Sequence, residues 1–260
     1  MTSSATISGG VEHPQCEALT LAVVLCAGQG SRMGAAQNKI FLPLAGMPVG
    51  ARAIRAFQDS PLVDEILVIG HPEELDRVRE ELVAPYRFTK VSDIAAGGVS
   101  RHQSEERALD AVRSRIMSGE IGLVMIHDGA RPLVTGAEIA RVVTALRSLP
   151  RPAGALLATP MAADERIARV GADGALAQVF AAGELARAQT PQGFEARTLL
   201  AAYDRARAEG FEGTDTASVV EAAGALVVIA AGDETNLKVT TPDDLLRAEA
   251  ILRTRGASTS

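Results

Sequence analysis

Apolar runs without alternation punctuate the chain at Leu21–Cys26, Glu65–Ile69, Gly122–Ile126, Gly154–Ala158 and Ala225–Ile229. Short runs of this kind, rich in Val, Ile and Leu, suit parallel strands buried on both faces. Between them the period lengthens to that of a helix. Val49, Ala53, Ile54 and Phe57 share one face, and Ile139, Val142, Val143, Leu146 and Leu149 share another. Strands alternating with helices predict an α/β fold: a Rossmann-like doubly wound, mostly parallel sheet with helices on both faces. The rhythm breaks between Met161 and Arg187, where the chain turns polar and rich in Ala and Gly, with GADG as a turn. That break predicts an arm projecting from the sheet, with an ordinary surface excursion as the plainer alternative.

The length of 260 residues fits one large α/β domain or two small ones, and a single domain over 19–254 is expected. Residues 1–18 and 255–260 read as tails. Apolar residues at 47% supply a full core, built mostly from Ala, Val, Leu and Ile because aromatic residues are only 3% and Trp is absent. The net charge of −6 argues against a broad nucleic-acid surface but leaves room for a small basic pocket. Cys16 and Cys26 have no CxxC spacing, so neither a disulfide scaffold nor a zinc site is predicted; Cys26 reads as core. The chain ahead of Leu21 carries no Lys or Arg, and the apolar run that follows is short. No signal peptide or membrane span is expected, and a cytoplasmic protein is the default.

The first strand ends in Ala27-Gly28-Gln29-Gly30-Ser31-Arg32. Ligands of doubly wound sheets sit beyond the carboxyl ends of strands, and glycines let backbone N–H groups approach an anion. A dinucleotide site would need a third glycine where Met33 stands, and a P-loop would need a GK[ST] ending. A third reading adds Arg32 and Lys39 as fixed cations, with Pro43 closing the loop. Two cations around a glycine loop suit a triphosphate whose charge must be neutralised as it reacts.

The order AGQGSRMG (27–34) then NKIFLPLAGMPV (38–49) resembles the nucleotidyltransferases that activate sugar and polyol phosphates. Later stretches narrow the likeness: AGGVSRHQSEERAL (96–109), HDGARPLV (127–134), AQTPQGF (188–194), GTDTASVVE (213–221) and NLKVTTPDDL (236–245). In this order they resemble the 2-C-methyl-D-erythritol 4-phosphate cytidylyltransferase family over about residues 20–253. The resemblance implies transfer of a cytidylyl group from CTP to that polyol phosphate, with release of pyrophosphate, in isoprenoid precursor synthesis. It also implies Mg²⁺ or another divalent cation and a homodimer formed through the 161–187 arm; charge and hydropathy, separately, predict no nucleic-acid or membrane partner.

Position by position, the resemblance implies that Cys26, Ala27, Gly28 and Gly30 belong to the nucleotide loop, and that Arg32 and Lys39 stabilise the pentavalent phosphorus. Gly98 and Ser104 read the cytosine. Asp128, Arg131, Thr190 and Thr214 surround the polyol phosphate, and Lys238 positions it for attack. Metal ligands are not assigned. Plainer roles compete: Asp128 as a cap, Thr214 or Asp215 as a helix N-cap, Pro191 as the start of a turn, and His127 as a packing or hydrogen-bonding residue, which is the preferred reading for His127.

Several positions depart from the family pattern. Ala182 stands where an arginine is usual, and MAADERIARV replaces a stretch that normally supplies a threonine. Val99 replaces an acid at the cytosine site, and Asn38 replaces a proline before the loop lysine. Arg166 or Arg169 are candidates to supply the missing arm charge. A ribitol 5-phosphate cytidylyltransferase and a non-catalytic nucleotide sensor are the alternatives these departures leave open.

Overall fold

The computed structural model describes residues 18–28, 38–148, 151–162, 164, 166–170, 172, 175–181 and 185–257. The chain opens with β1 (Leu19–Cys26), followed by the short strands β2 (Pro43–Leu44) and β3 (Met47–Pro48) and helix α1 (Val49–Gln58). Next come β4 (Glu65–Gly70), the brief turn α2 (Leu75–Arg77), β5 (Val91–Ala96), α3 (Arg101–Ser118), β6 (Ile121–Asp128) and α4 (Gly136–Leu146). The second half holds β7 (Gly154–Pro160), β8 (Arg166–Val170), β9 (Leu176–Ala181), β10 (Ala186–Glu195), α5 (Ala196–Glu209), α6 (Thr216–Ala222), β11 (Val227–Ala231) and α7 (Pro242–Ala257).

The main sheet has seven strands in the order β11-β7-β10-β6-β1-β4-β5. Every pairing is parallel except those of β10, which runs antiparallel to both β6 and β7. The mostly parallel sheet predicted from the apolar runs is therefore present, and each of those runs lies in or overlaps a strand. The order reverses between β1 and β6, which opens a crevice at their carboxyl ends.

β1, beside the central strand β6, shows why a continuous apolar run is needed inside the sheet. Leu21 and Val23 point to a core formed with α3, α5 and α6, through Leu109, Ile116, Leu199 and Tyr203. Ala22, Val24 and Cys26 point the opposite way, to α1 and α4, through Ile54, Phe57, Ile139 and Val143. Successive side chains alternate between faces, so a strand covered on both sides has no polar position to spare. The predicted face of α1 is buried in full, and Ile139, Val142, Val143 and Leu146 of α4 are buried as well; Leu149 lies outside the described residues.

Two strands of the main sheet escaped the apolar pattern. β5 is an edge strand with an exposed Ser92–Asp93. β10 carries buried Gln189, Thr190 and Gln192 in mid-sheet. Their polar groups are matched: Gln189 donates to the Asp233 carbonyl, and Gln192 donates to Asp215 and accepts from the Ala217 N–H. The β7 register slips between Ala188 and Gln192. Pro191 falls within that slip rather than starting a turn, where its missing N–H costs no ladder bond.

The 161–187 stretch holds a separate antiparallel hairpin, β8 with β9. At the far end α7 continues to Ala257, which corrects the expectation of a tail from residue 255. Among the described residues no helix is long and apolar enough to cross a membrane.

Phe57 fills the space between α1 and the sheet and lies 4.9 Å, centroid to centroid, from the His127 ring. Phe57→Ala should lower the unfolding free energy by about 3–5 kcal/mol, the usual cost of an aromatic cavity, measured by urea denaturation.

Candidate active site

A cavity of about 540 Å³ opens at the carboxyl ends of β1, β4, β5 and β6. Ala27 and Gly28 leave β1 into it, Gly97 and Gly98 follow β5, and Asp128 closes β6. The floor is tight. A Cβ at Gly97 would stand 2.6 Å from that of Ala27, so the two crossovers meet only because one of them lacks a side chain. Among the described residues nothing would meet a Cβ placed at Gly28. Lys39, Arg101, Arg107 and Lys238 supply cations to the lining, and Asp128 supplies its carboxylate.

Asp128 is buried, which by itself would raise its carboxyl pKa. Arg101, Lys238 and Arg131 reverse the effect and hold it well below the usual carboxylate range. Lys238 Nζ lies 2.9 Å from one carboxylate oxygen, with Arg131 Nε 3.5 Å from the same oxygen. Arg101 Nη2 lies 3.7 Å from the other. These cations come from the start of α3, the turn after β6, and the segment ahead of α7. Each is brought in by a separate piece of chain: the Val239 N–H bonds to the Ala130 carbonyl, which aligns the Lys238 segment with the β6 turn.

A second layer fixes the first. Thr190 Oγ1 accepts the Asp128 N–H at 3.0 Å and donates to His127 Nδ1. His127 Nε2 then donates to the Arg131 carbonyl at 3.2 Å. That arrangement requires a neutral imidazole, and burial pushes the His127 pKa down to about 4. Asn236 donates to the Thr190 carbonyl and its own carbonyl accepts from Arg131 Nη1. His127 therefore has the hydrogen-bonding role preferred from sequence.

Lys39 begins a short turn, Lys39–Phe41, capped by Asn38, whose side-chain oxygen accepts the Ile40 N–H. The Asn38 amide donates to Glu74 at 2.8 Å. Asn38 in place of proline thus still starts the turn that presents Lys39. On the other wall, Ser104 Oγ accepts the Gly98 N–H and donates to the Ser100 carbonyl. Arg107 donates to the Gly97 carbonyl.

The predicted residues Ala27, Gly28, Lys39, Gly98, Ser104, Asp128 and Lys238 all line this cavity. Arg131 and Thr190 sit one layer behind, touching Asp128. Cys26 does not line it: the thiol is buried against Gly129, and burial pushes its pKa up to about 12. Thr214 is exposed just ahead of α6, whose cap is Asp215, with a reciprocal bond from Ser218. Arg32, Gly30 and Ala182 lie outside the described residues, as does the side chain of Arg166. Arg169 is exposed, with its guanidinium 5.7 Å from the centroid of the Phe180 ring. Sequence reasoning passed over Arg101. The available signal was an Arg directly after a helix-capping serine with Glu105 one turn on, a spacing that puts both on one face.

Residues 20–254 match the sequence profile of 2-C-methyl-D-erythritol 4-phosphate cytidylyltransferase. The chain belongs to that family. It is 41% identical over 232 residues to the 2-C-methyl-D-erythritol 4-phosphate cytidylyltransferase of Geobacter metallireducens, covering 89% of this chain and 97% of the relative. Among solved structures, the Thermus thermophilus cytidylyltransferase superposes with a TM-score of 0.68 at 30% identity, covering 89% of this chain and 98% of that one. The Anaerococcus prevotii 4-diphosphocytidyl-2C-methyl-D-erythritol synthase shares the fold, with a TM-score of 0.75 at 22% identity over 91% and 99% of the two chains.

Members of this cytidylyltransferase family are nucleotidyltransferases, and a divalent cation can be tested against the cavity. Among the described residues no three His, Cys, Asp or Glu side chains gather as a cage. Asp128 is the carboxylate in the lining, and cations surround it. This donor set fits Mg²⁺ carried on triphosphate oxygens, which need at most one or two protein carboxylates.

The buried imidazole sets an acid limit. Folded His127 stays neutral down to about pH 4, whereas the unfolded ring takes up a proton near 6.5. The unfolded state binds protons first, so stability is present above 6.5 and is lost as the pH falls towards 4. Over that window wild-type unfolding free energy should fall by about 3 kcal/mol more than that of His127→Gln, in urea titrations at each pH.

Proposed function

We propose that this cavity transfers the cytidylyl group of CTP to 2-C-methyl-D-erythritol 4-phosphate, as the family does in isoprenoid precursor synthesis. The observation that carries this reading is the convergence of Lys39, Arg101 and Lys238 with Asp128 beyond the glycine turn of β1. An oxygen of the polyol phosphate attacks the α-phosphorus of CTP. The bond from that phosphorus to the bridging oxygen breaks, and pyrophosphate leaves with the electron pair. The attacking phosphate has a second pKa near ~6 and is already ionised at neutral pH, so no general base is needed. His127 fits this account, since its ring is neutral, buried and committed to two hydrogen bonds.

The chemical difficulty is repulsion between two phosphate groups. Lys39 stands on the nucleotide side, and Ala27, Gly28, Gly98 and Ser104 form the nucleotide wall; Arg32 and Gly30 belong to it by the resemblance alone. Lys238, Asp128 and Arg131 hold the acceptor end, with Thr190 behind; Thr214 is assigned there by the resemblance alone. Mg²⁺, when bound, screens the triphosphate charge. A cytoplasmic location suits a CTP-dependent biosynthetic enzyme. A homodimer suits the β8–β9 hairpin, because a two-stranded ribbon with exposed Val179 gains stability by packing on a second copy. A monomer in sedimentation equilibrium would remove the dimer from this reading.

Pyrophosphate release with CTP should depend on 2-C-methyl-D-erythritol 4-phosphate, and ribitol 5-phosphate should be a poorer acceptor. Release that needs no acceptor, or favours ribitol 5-phosphate, overturns the assignment; no release at all returns the sensor reading. Lys39→Ala should lower kcat by about a hundred- to thousandfold, the usual loss for one preorganised charge donor. Lys238→Ala should raise the KM of the acceptor much more than that of CTP, and equal effects on both would reassign the lysine.

A further inference from the structure

Arg101 stands one residue past the Ser100 cap of α3 and lines the cavity. Its Nε lies 3.0 Å from a Glu105 carboxylate oxygen and its Nη2 lies 3.7 Å from Asp128. Both nitrogens are buried, and neither has a well-directed hydrogen bond. The guanidinium is therefore held between two carboxylates by charge, while the side chain keeps 27% of its surface exposed.

Glu105 is 1% exposed and does not line the cavity. Burial pushes the Glu105 carboxyl pKa up, and the charged form is favoured only by Arg101 and by the groups its oxygens meet. Here Tyr203 donates its hydroxyl to one oxygen and Thr216 donates to the other at 2.7 Å. Tyr203 is fixed in turn by stacking on His102, with centroids 5.0 Å apart. Helices α3, α5 and α6 thus converge on one acid whose charged partner faces the substrate space. An acid needed only for packing would be replaceable by an apolar side chain; this one sits one turn below a cavity cation.

We propose that Glu105, set by Tyr203 and Thr216, is a positioning residue that holds Arg101 as a further anion-binding side chain at the Asp128 end of the cavity. Without the Glu105 charge, the guanidinium is drawn wholly to Asp128 and competes with Lys238 for that carboxylate. The acceptor phosphate then loses a fixed cation on one side and a freely presented lysine on the other.

This inference rests on the proposed cytidylyl transfer, and wild-type turnover tests that reading by itself; the variants below test only the role of Glu105. Arg101→Ala should lower kcat/KM for the acceptor about 10- to 100-fold, as loss of a charged substrate contact does, with the KM of CTP changing less. Glu105→Gln keeps the shape and should give the same signature, about tenfold. Combined with Arg101→Ala it should add nothing, because a residue acting through another has no effect once that other is gone. If Glu105→Gln fails to fold, Tyr203→Phe is read in the same cycle. Full activity in Arg101→Ala, unchanged kcat/KM in Glu105→Gln, or an equal loss from Glu105→Gln in both backgrounds overturns the proposal.

Discussion

The attraction between one buried carboxylate and the cations around it is the constraint on which the rest of the site depends. Asp128 ends β6, the middle strand of the seven, and its buried charge is sustained by Arg101, Arg131 and Lys238. Those residues lie far apart in sequence, so the carboxylate joins the first crossovers of the fold to its C-terminal segment. Removing one member of a buried ion cluster leaves unmatched charge, which costs more than the cluster contributes when complete. The arrangement is also unbalanced: cations outnumber the acid, and a chain of net charge −6 keeps a positive interior at one place. An anion entering there completes the charge balance.

Polar residues behind the site act in the same sense. The slip in β10 leaves Thr190 without a regular partner in β7 and turns its hydroxyl to His127 and the Asp128 N–H. Asn236 closes the ring by bonding to Thr190 and accepting from Arg131. No side chain in this ring is free to rotate without breaking a buried hydrogen bond, and that is how the fold holds a geometry in which the reacting groups need only be placed.

Much of this was legible in the chain because burial writes itself as a pattern. The β1, β4, β6 and β7 runs had to be apolar on both faces, and α1 had to carry Phe57 and Ile54 on one. β10 was not legible as a strand, because Gln189, Thr190 and Gln192 satisfy their polar groups through residues distant in sequence. Lys39, Asp128 and Lys238 could be placed by motif order, whereas Arg101 could not. Its meaning comes from Asp128 and from Tyr203, a residue about a hundred positions on, which no local pattern displays. Cys26 shows the converse: a place in a motif does not say which way a side chain points, whereas its apolar run marked the thiol as core, where it lies.

The reversed direction of β10 has a geometric consequence for the hairpin. β7 runs parallel to β11 and delivers the chain to the same sheet edge as β1 and β6, while β10 begins at that edge, with Ala186 beside Pro160. The β8–β9 ribbon therefore leaves and rejoins the molecule on the rim where the substrates enter. A protein surface gripping the ribbon would be carried to that rim, so on the proposed reading assembly and admission of small molecules would share a single doorway.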